Sequence, residues 1–280
     1  MKQSRIYKLI CLDVDGTLVN DSKEITEFTR EQIRRVKRDF GVEVVLVSSR
    51  MPKSLFELMG SLGLDGPVVA YNGALILKDA AFTSSADVLQ SVYLPADTLP
   101  AVHSAILERG KQVHLGVFSN NVWNVKEMDY WALREARGTK IWPEVDRSLA
   151  DGESSAPADQ LHKVMLRGDK SVLDEIEVVL SASLPSGCET FRSNDTFVEI
   201  TPSTALKSPA VSVIQKLLAV APTSTMAFGD NHNDLEMLRS VGLGIAMGNA
   251  PANVKQICNE ITLSNNEDGV GYGLRKHFAD

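Results

Sequence analysis

Short apolar runs alternate with amphipathic stretches along the first third of the chain. Residues 9–12, 42–47 and 67–71 are almost wholly apolar and rich in β-branched side chains, the pattern of strands buried on both faces. Between the first two, residues 25–40 carry Phe28, Ile33, Val36 and Phe40 as a rough helical stripe. Thr26 is placed to cap this helix and Gly41 to end it. A second helix starts near Pro52 and stops between Gly60 and Gly63. Asn72-Gly73 is a turn signal after the third strand. Strand and helix in this order predict a parallel sheet with right-handed crossovers.

From about residue 83 the rhythm changes. A short strand over 91–94, a helix over 97–109, and strands over 112–118 and 122–126 come first. A short helical stretch (128–137) and a polar loop (150–159) follow. A strand over 162–166, a helix over 172–184, and strands over 188–192 and 196–200 repeat the order helix, strand, strand, so an internal pseudo-repeat is expected. The α/β rhythm then returns. It gives a helix over 205–220, strands over 225–228 and 243–247, a helix over 235–241, and a final helix, strand and helix. The reading is a discontinuous α/β core of residues 1–82 and 203–280, with an α+β domain, 83–202, inserted into it. Insertion after the third strand puts this domain above the carboxyl ends of the parallel strands, where open α/β sheets bind ligands, so it is expected to act as a lid.

The charge balance, 29 basic against 36 acidic residues for a net −7, argues against a nucleic-acid or anionic-membrane surface. Cys11, Cys188 and Cys258 form no CxxC pair, so neither a disulfide framework nor a zinc site is expected. The first residues lead into a strand without a signal-peptide apolar region, and no run approaches membrane-spanning length. The expectation is a cytoplasmic protein, monomeric or weakly dimeric, with no nucleic-acid or membrane partner.

The candidate chemistry lies at predicted strand ends and helix starts: Asp13 with Asp15, Ser48, Lys207, and Asp230 with Asp234. In an extended segment, residues two apart project to the same side, so Asp13 and Asp15 are expected to face one point. Three or four carboxylates suit one hard cation, with Mg²⁺ the leading choice. That cation, Lys207, the Ser48 hydroxyl and backbone N–H groups near Gly16 would together bind a dianion such as phosphate. Without them each carboxylate–phosphate pair at 4 Å would cost about 4 kcal/mol at an effective dielectric of 20.

The segment Asp13-Val14-Asp15-Gly16-Thr17-Leu18 resembles the DxDGTL signature of the haloacid dehalogenase superfamily, and Gly229 to Met237 resembles its GDxxNDxxM motif. With an inserted domain ahead of the lysine, and with Tyr71-Asn72-Gly73-Ala74 and Gly248-Asn249-Ala250, the chain resembles the Cof-type phosphatases that carry a type IIB cap. The resemblance covers about residues 6–278 of the core; the cap matches in element order only. It implies a Rossmann-like core and a Mg²⁺-dependent phosphatase acting on small phosphorylated metabolites, sugar phosphates foremost. It implies Asp13 as the nucleophile that forms an aspartyl-phosphate and Asp15 as acid and base. Mg²⁺ would be held by the Asp13 carboxylate, the Asp15 main-chain oxygen and Asp230, with Asp234 in support. Ser48 and Lys207 would hold phosphoryl oxygens. Gly16, Ser49, Arg50, Asn72, Gly73 and Asn233 join them as substrate-binding candidates. Ser49 and Ser208 stand where relatives commonly have glycine, which puts rate and substrate in question more than chemistry. Thr204, often glycine in relatives, is placed to cap the next helix.

Other readings stay open. They are a phosphomutase or dedicated sugar-phosphate phosphatase of the same superfamily, and a catalytically weak phosphometabolite-binding regulator. In the inserted domain Trp123, Trp131 and Trp142 suit stacking on a sugar or base, though aromatic residues at such spacing are more often core. His114, His162 and Arg192 are uncommitted, and His232 reads as a neighbour of the acidic loop.

Overall fold

The computed structural model describes residues 7–79, 87–109 and 113–279. The expected domain boundary at 82/83 lies outside the described residues. By its contacts the chain divides into two compact units. One comprises the chain up to Arg50, Leu55–Gln90 and Leu206 onward; the other comprises Met51–Ser54 and Ser91–Ala205.

The first unit is built on an eight-stranded sheet, six strands of which run parallel. These are β1 (Leu9–Leu12), β2 (Glu43–Val47), β3 (Val68–Ala70), β12 (Thr225–Gly229), β13 (Leu243–Ala246) and β14 (Glu260–Ile261). Two further strands are β4 (Leu75–Leu77) and β5 (Val88–Ser91), and the order is β14-β13-β12-β1-β2-β3-β4-β5. All four residues of β1 and of β13 are buried, as their uninterrupted apolar runs require. Leu9, Cys11, Val45, Val47 and Ala227 join Val211 and Ile214 in one apolar cluster. The helices are α1 (Glu27–Phe40), α2 (Pro52–Leu62), α6 (Lys207–Leu217), α7 (Leu235–Arg239), α8 (Ala252–Ile257) and α9 (Gly269–His277). α1 has the expected ends: Thr26 Oγ1 accepts the Thr29 N–H, and Gly41, at φ +63°, donates to the Lys37 and Val36 carbonyls.

The six core strands run parallel as expected, and the turn at Asn72-Gly73 adds an antiparallel hairpin by carrying β3 back into β4. The structure corrects two expectations here. The strand expected at 91–94 is β5, three residues earlier, and it closes the edge of this sheet. α6 starts at Lys207 after Leu206 with no side-chain cap, so Thr204 does not cap it.

The second unit holds β6 (His114–Ser119), β7 (Val122–Val125), β8 (Glu144–Val145), β9 (Lys163–Arg167), β10 (Cys188–Asn194) and β11 (Phe197–Pro202). They form one sheet in the order β10-β11-β9-β6-β7-β8, antiparallel except for β7 with β8. Helices α3 (Thr98–Arg109) and α5 (Lys170–Ser183) bury Leu99, Val102, Leu173 and Ile176 with Val117, Val164 and Val198 of one sheet face. α4 (Tyr130–Thr139) is capped by Asp129, which also binds His114 Nδ1 at 3.0 Å. The repeated element order does not extend to sheet position. β6, the first strand after α3, is central beside β9, whereas β10, the first strand after α5, is at the edge.

Two of the open candidates are structural. Trp123 is buried and stacks on Phe118. His162 accepts the Asn120 N–H on Nδ1, leaving Nε2 to donate to Ser91 Oγ, and burial pulls its pKa down to about 4, so it is neutral. Arg192 pairs with Asp174 and Glu177, while Trp142 is 61% exposed. Among the described residues no helix is long and apolar enough to cross a membrane.

Candidate active site

β1 and β12 are parallel neighbours, so the loops after both leave the sheet at the same edge of the first unit. This brings Asp13 next to Asp230 and Asp234 across more than two hundred residues of sequence. Carboxylate oxygens of the three lie within 4.8 Å of one another. Lys207, in the first turn of α6, places its ammonium between two of them, 2.5 Å from Asp13 Oδ1 and 2.7 Å from Asp234 Oδ1. A lysine in the first turn is the wrong sign for the helix dipole, and its buried position is explained by these two anions. Burial alone would favour loss of its proton, but Asp13 and Asp234 outweigh that and hold Lys207 protonated. Three carboxylates against one ammonium leave a local excess of two negative charges, the deficit a divalent cation fills.

The three acids have different surroundings. Asp234 is fully buried; its Oδ2 accepts the Asp230 and Asn231 N–H groups, both at 3.1 Å, and Asn231 caps in return. Both its oxygens are therefore engaged within the protein. Asp230 receives the Thr17 hydroxyl on Oδ1 at 2.9 Å. Burial, and then the charge of Asp234, push its pKa up to about 6. Asp13 is raised by burial and by both neighbouring carboxylates, against the pull of Lys207. Gly16, at φ +85°, admits the Asp230 carboxylate, since a Cβ there would lie 2.4 Å from Oδ2.

Asp15 departs from the expectation that both carboxylates of the motif face one point. β1 ends at Leu12, and the N–H groups of Thr17, Leu18 and Val19 all turn back to the Val14 carbonyl, so the segment is not extended. The Asp15 side chain, 40% exposed, is instead gripped by Arg50, with Nε at 2.7 Å and Nη2 at 2.8 Å, and by Lys23 at 2.8 Å. Partial burial opposes this, but the two cations hold its pKa well below the usual carboxylate range.

Ser48 is buried at the end of β2, where its Oγ accepts the Arg50 N–H at 3.2 Å, and Ser49 follows it half-buried. Its carbonyl takes the Asn72 N–H at 2.8 Å, and Asn233 Nδ2 reaches Asn72 Oδ1 at 3.3 Å. The loops after β2, β3 and β12 are thus tied to one another. Tyr71, Asn72 and Gly73 all have positive φ, and Gly73 faces the Leu206 carbonyl so closely that a Cβ would sit 2.7 Å from it. His232 bonds to Asn231 and is not in the acidic cluster. Sequence reading singles out none of Thr17, Lys23 or Asn249 as site residues. Asn249 Nδ2 donates to the Gly16 carbonyl at 2.9 Å. Thr17 and Asn249 do lie inside the family-like motifs; Lys23 has no sequence signal.

The model of a family described as haloacid dehalogenase-like hydrolase matches residues 10–274. A Haemophilus influenzae protein named "Putative phosphatase" is 31% identical over 278 residues, covering 98% of this chain and 100% of its own. The Bacillus subtilis 5-amino-6-(5-phospho-D-ribitylamino)uracil phosphatase YcsE is 28% identical, over 96% and 94%. Among solved structures, a haloacid dehalogenase-like hydrolase from Bacteroides thetaiotaomicron superposes with a TM-score of 0.86 at 28% identity, covering 97% of this chain and 100% of that one. A sugar phosphatase of haloacid dehalogenase subclass IIB, at 23% identity, shares the fold with a TM-score of 0.77 over 97% and 98%. The chain belongs to the haloacid dehalogenase-like hydrolase family, of the Cof-type branch whose fold joins an α/β core to a cap domain.

Proposed function

We propose that this hydrolase is a Mg²⁺-dependent phosphomonoesterase of small phosphorylated metabolites, with sugar phosphates the leading class. The observation that carries the reading is the cluster of three carboxylates in which one protonated lysine pairs with only Asp13 and Asp234. The donor set is all oxygen and two charges short of neutral, which fits Mg²⁺. Asp13 and Asp230 would hold the ion through their side chains and Asp15 through its main-chain oxygen, with Asp234 in support. When bound, the ion neutralises the incoming phosphate and polarises it toward attack.

The remaining work falls to the chain's own groups. Asp13, in contact with Lys207, is the nucleophile: a carboxylate oxygen bonds to phosphorus while the ester oxygen leaves with the bonding pair, giving an aspartyl-phosphate. Asp15 supplies the proton to that oxygen and afterwards takes one from the water that cleaves the acyl phosphate. Its grip by Arg50 and Lys23 must loosen for this, so substrate binding has to draw one of these cations away. Lys207 and Ser48 bind phosphoryl oxygens, with Gly16, Ser49, Asn72, Gly73 and Asn233 around them. Both the relatives' names and the family model support a phosphatase.

Replacing Asp13 by Asn tests the reading. With p-nitrophenyl phosphate and Mg²⁺, release of phosphate should fall by at least about a thousandfold, in line with the loss of a covalent nucleophile. Turnover near the wild-type level would remove Asp13 from that role.

A further inference from the structure

Asn249, in the loop after β13, is exposed at the acidic cluster and has no part in the chemistry above. An exposed amide ordinarily bonds to water. This one has three protein partners from three separate loops. Its Nδ2 donates to the Gly16 carbonyl at 2.9 Å and stands 3.5 Å from Asp230 Oδ2, and its Oδ1 accepts the Asn265 N–H at 3.0 Å. Asn265 is buried and passes the connection on: its Nδ2 donates to the Val19 carbonyl and to Asp21 Oδ1, both at 3.2 Å. The loop after β1 is therefore held at two places, at Gly16 by Asn249 and at Val19 with Asp21 by Asn265, and the two asparagines are bonded to each other.

We infer that Asn249 is a positioning residue that fixes the Asp230 carboxylate and the Gly16 peptide for the cation, without itself touching the phosphoryl group. The inference rests on the Mg²⁺ phosphatase reading. Asp230 has three neighbours around its carboxylate: the Thr17 hydroxyl on Oδ1, the Asn249 amide beside Oδ2, and Gly16, where an added Cβ would lie 2.4 Å from Oδ2. Asn249 anchors two of these neighbours, its own amide and the Gly16 peptide. Groups that orient a metal-binding carboxylate in this way usually change metal affinity about 10- to 100-fold when lost.

The test is calorimetric titration of Mg²⁺ into the wild type, Asn249→Ala and Asn266→Ala, beside the thermal midpoint of each metal-free protein. Asn266 bonds to Asp21 but not to Asn249, so it samples the same turn without the proposed role. Asn249→Ala should weaken Mg²⁺ binding about 10-fold or more. Its metal-free midpoint should hardly move, and turnover should recover at saturating Mg²⁺. Asn266→Ala should bind Mg²⁺ as the wild type does. If Asn249→Ala does not fold, Asn249→Ser carries the same comparison. Equal Mg²⁺ affinity in the wild type and the Asn249 variant overturns the inference and leaves the phosphatase reading intact. A wild type that hydrolyses phosphate esters but binds no Mg²⁺ overturns the metal assignment and the inference together.

Discussion

At the scale of residues, the acidic cluster would couple the proposed metal binding to proton release. Asp13 and Asp230, both raised, must be ionised to bind a cation, so Mg²⁺ should bind progressively less tightly as pH falls through about 6, where Asp230 takes up its proton. The same shift acts on stability. A carboxyl group with a folded-state pKa above its unfolded value of 3.8 holds its proton more firmly in the folded chain, so the metal-free protein should lose stability as pH rises from about 4 to 6. Asp15 works in the opposite sense, but its stabilising contribution is complete above the unfolded carboxylate pKa and lost only at lower pH, outside that window. The check is the thermal midpoint at pH 5 and pH 7 with and without Mg²⁺: the gain from Mg²⁺ should be larger at pH 7. An equal gain at both would show that no ligand titrates near 6. Asp13, Lys207, Asp230 and Asp234 are legible in the sequence because each lies in a motif with a chemical logic. The grip of Lys23 and Arg50 on Asp15 is not, because nothing in Lys23 or its neighbours marks where a turn will carry its ammonium.

At the scale of elements, glycine distinguishes turns that need only a backbone angle from turns that also need space. Gly41 and Gly73 both have positive φ. At Gly41, the end of α1, nothing lies within 4 Å of the point a Cβ would occupy, whereas at Gly73 a Cβ would meet the Leu206 carbonyl at the start of α6. Gly41→Ala should therefore cost about 1 kcal/mol, the left-handed penalty alone. Gly73→Ala should cost clearly more, because two backbone segments must separate. Denaturant midpoints of the two variants would decide it, and equal losses would refute the steric part. The helix ends are readable from Thr26, Gly41 and Pro52 since capping is local. β4 and β8 are not: each is at most three residues long, and its identity as a strand comes from a neighbour it pairs with.

At the scale of the whole molecule, each unit has its own sheet and its own buried apolar cluster. The acidic cluster belongs to the first alone. Scanning calorimetry should accordingly resolve two transitions, with Mg²⁺ raising the midpoint of one. A single transition that shifts as a whole would show that the units unfold as one. The return of an α/β rhythm after residue 202 makes the interruption of the core visible, since one strand-and-helix pattern cut in two by a different one is the mark of an insertion. The pairing of Leu9 with Thr225 adds a consequence for biosynthesis. β1 lies near the start of the chain, and its partner β12 is translated roughly two hundred residues later, which is on the order of 10–40 s at ordinary elongation rates. During that interval the edge of β1 that will receive β12 is open on the ribosome, and by its end every strand of the second unit from β6 to β11 has been translated. The nascent chain can complete its inserted unit first, and the clustered aspartates Asp13, Asp230 and Asp234 meet only after most of the protein has been made.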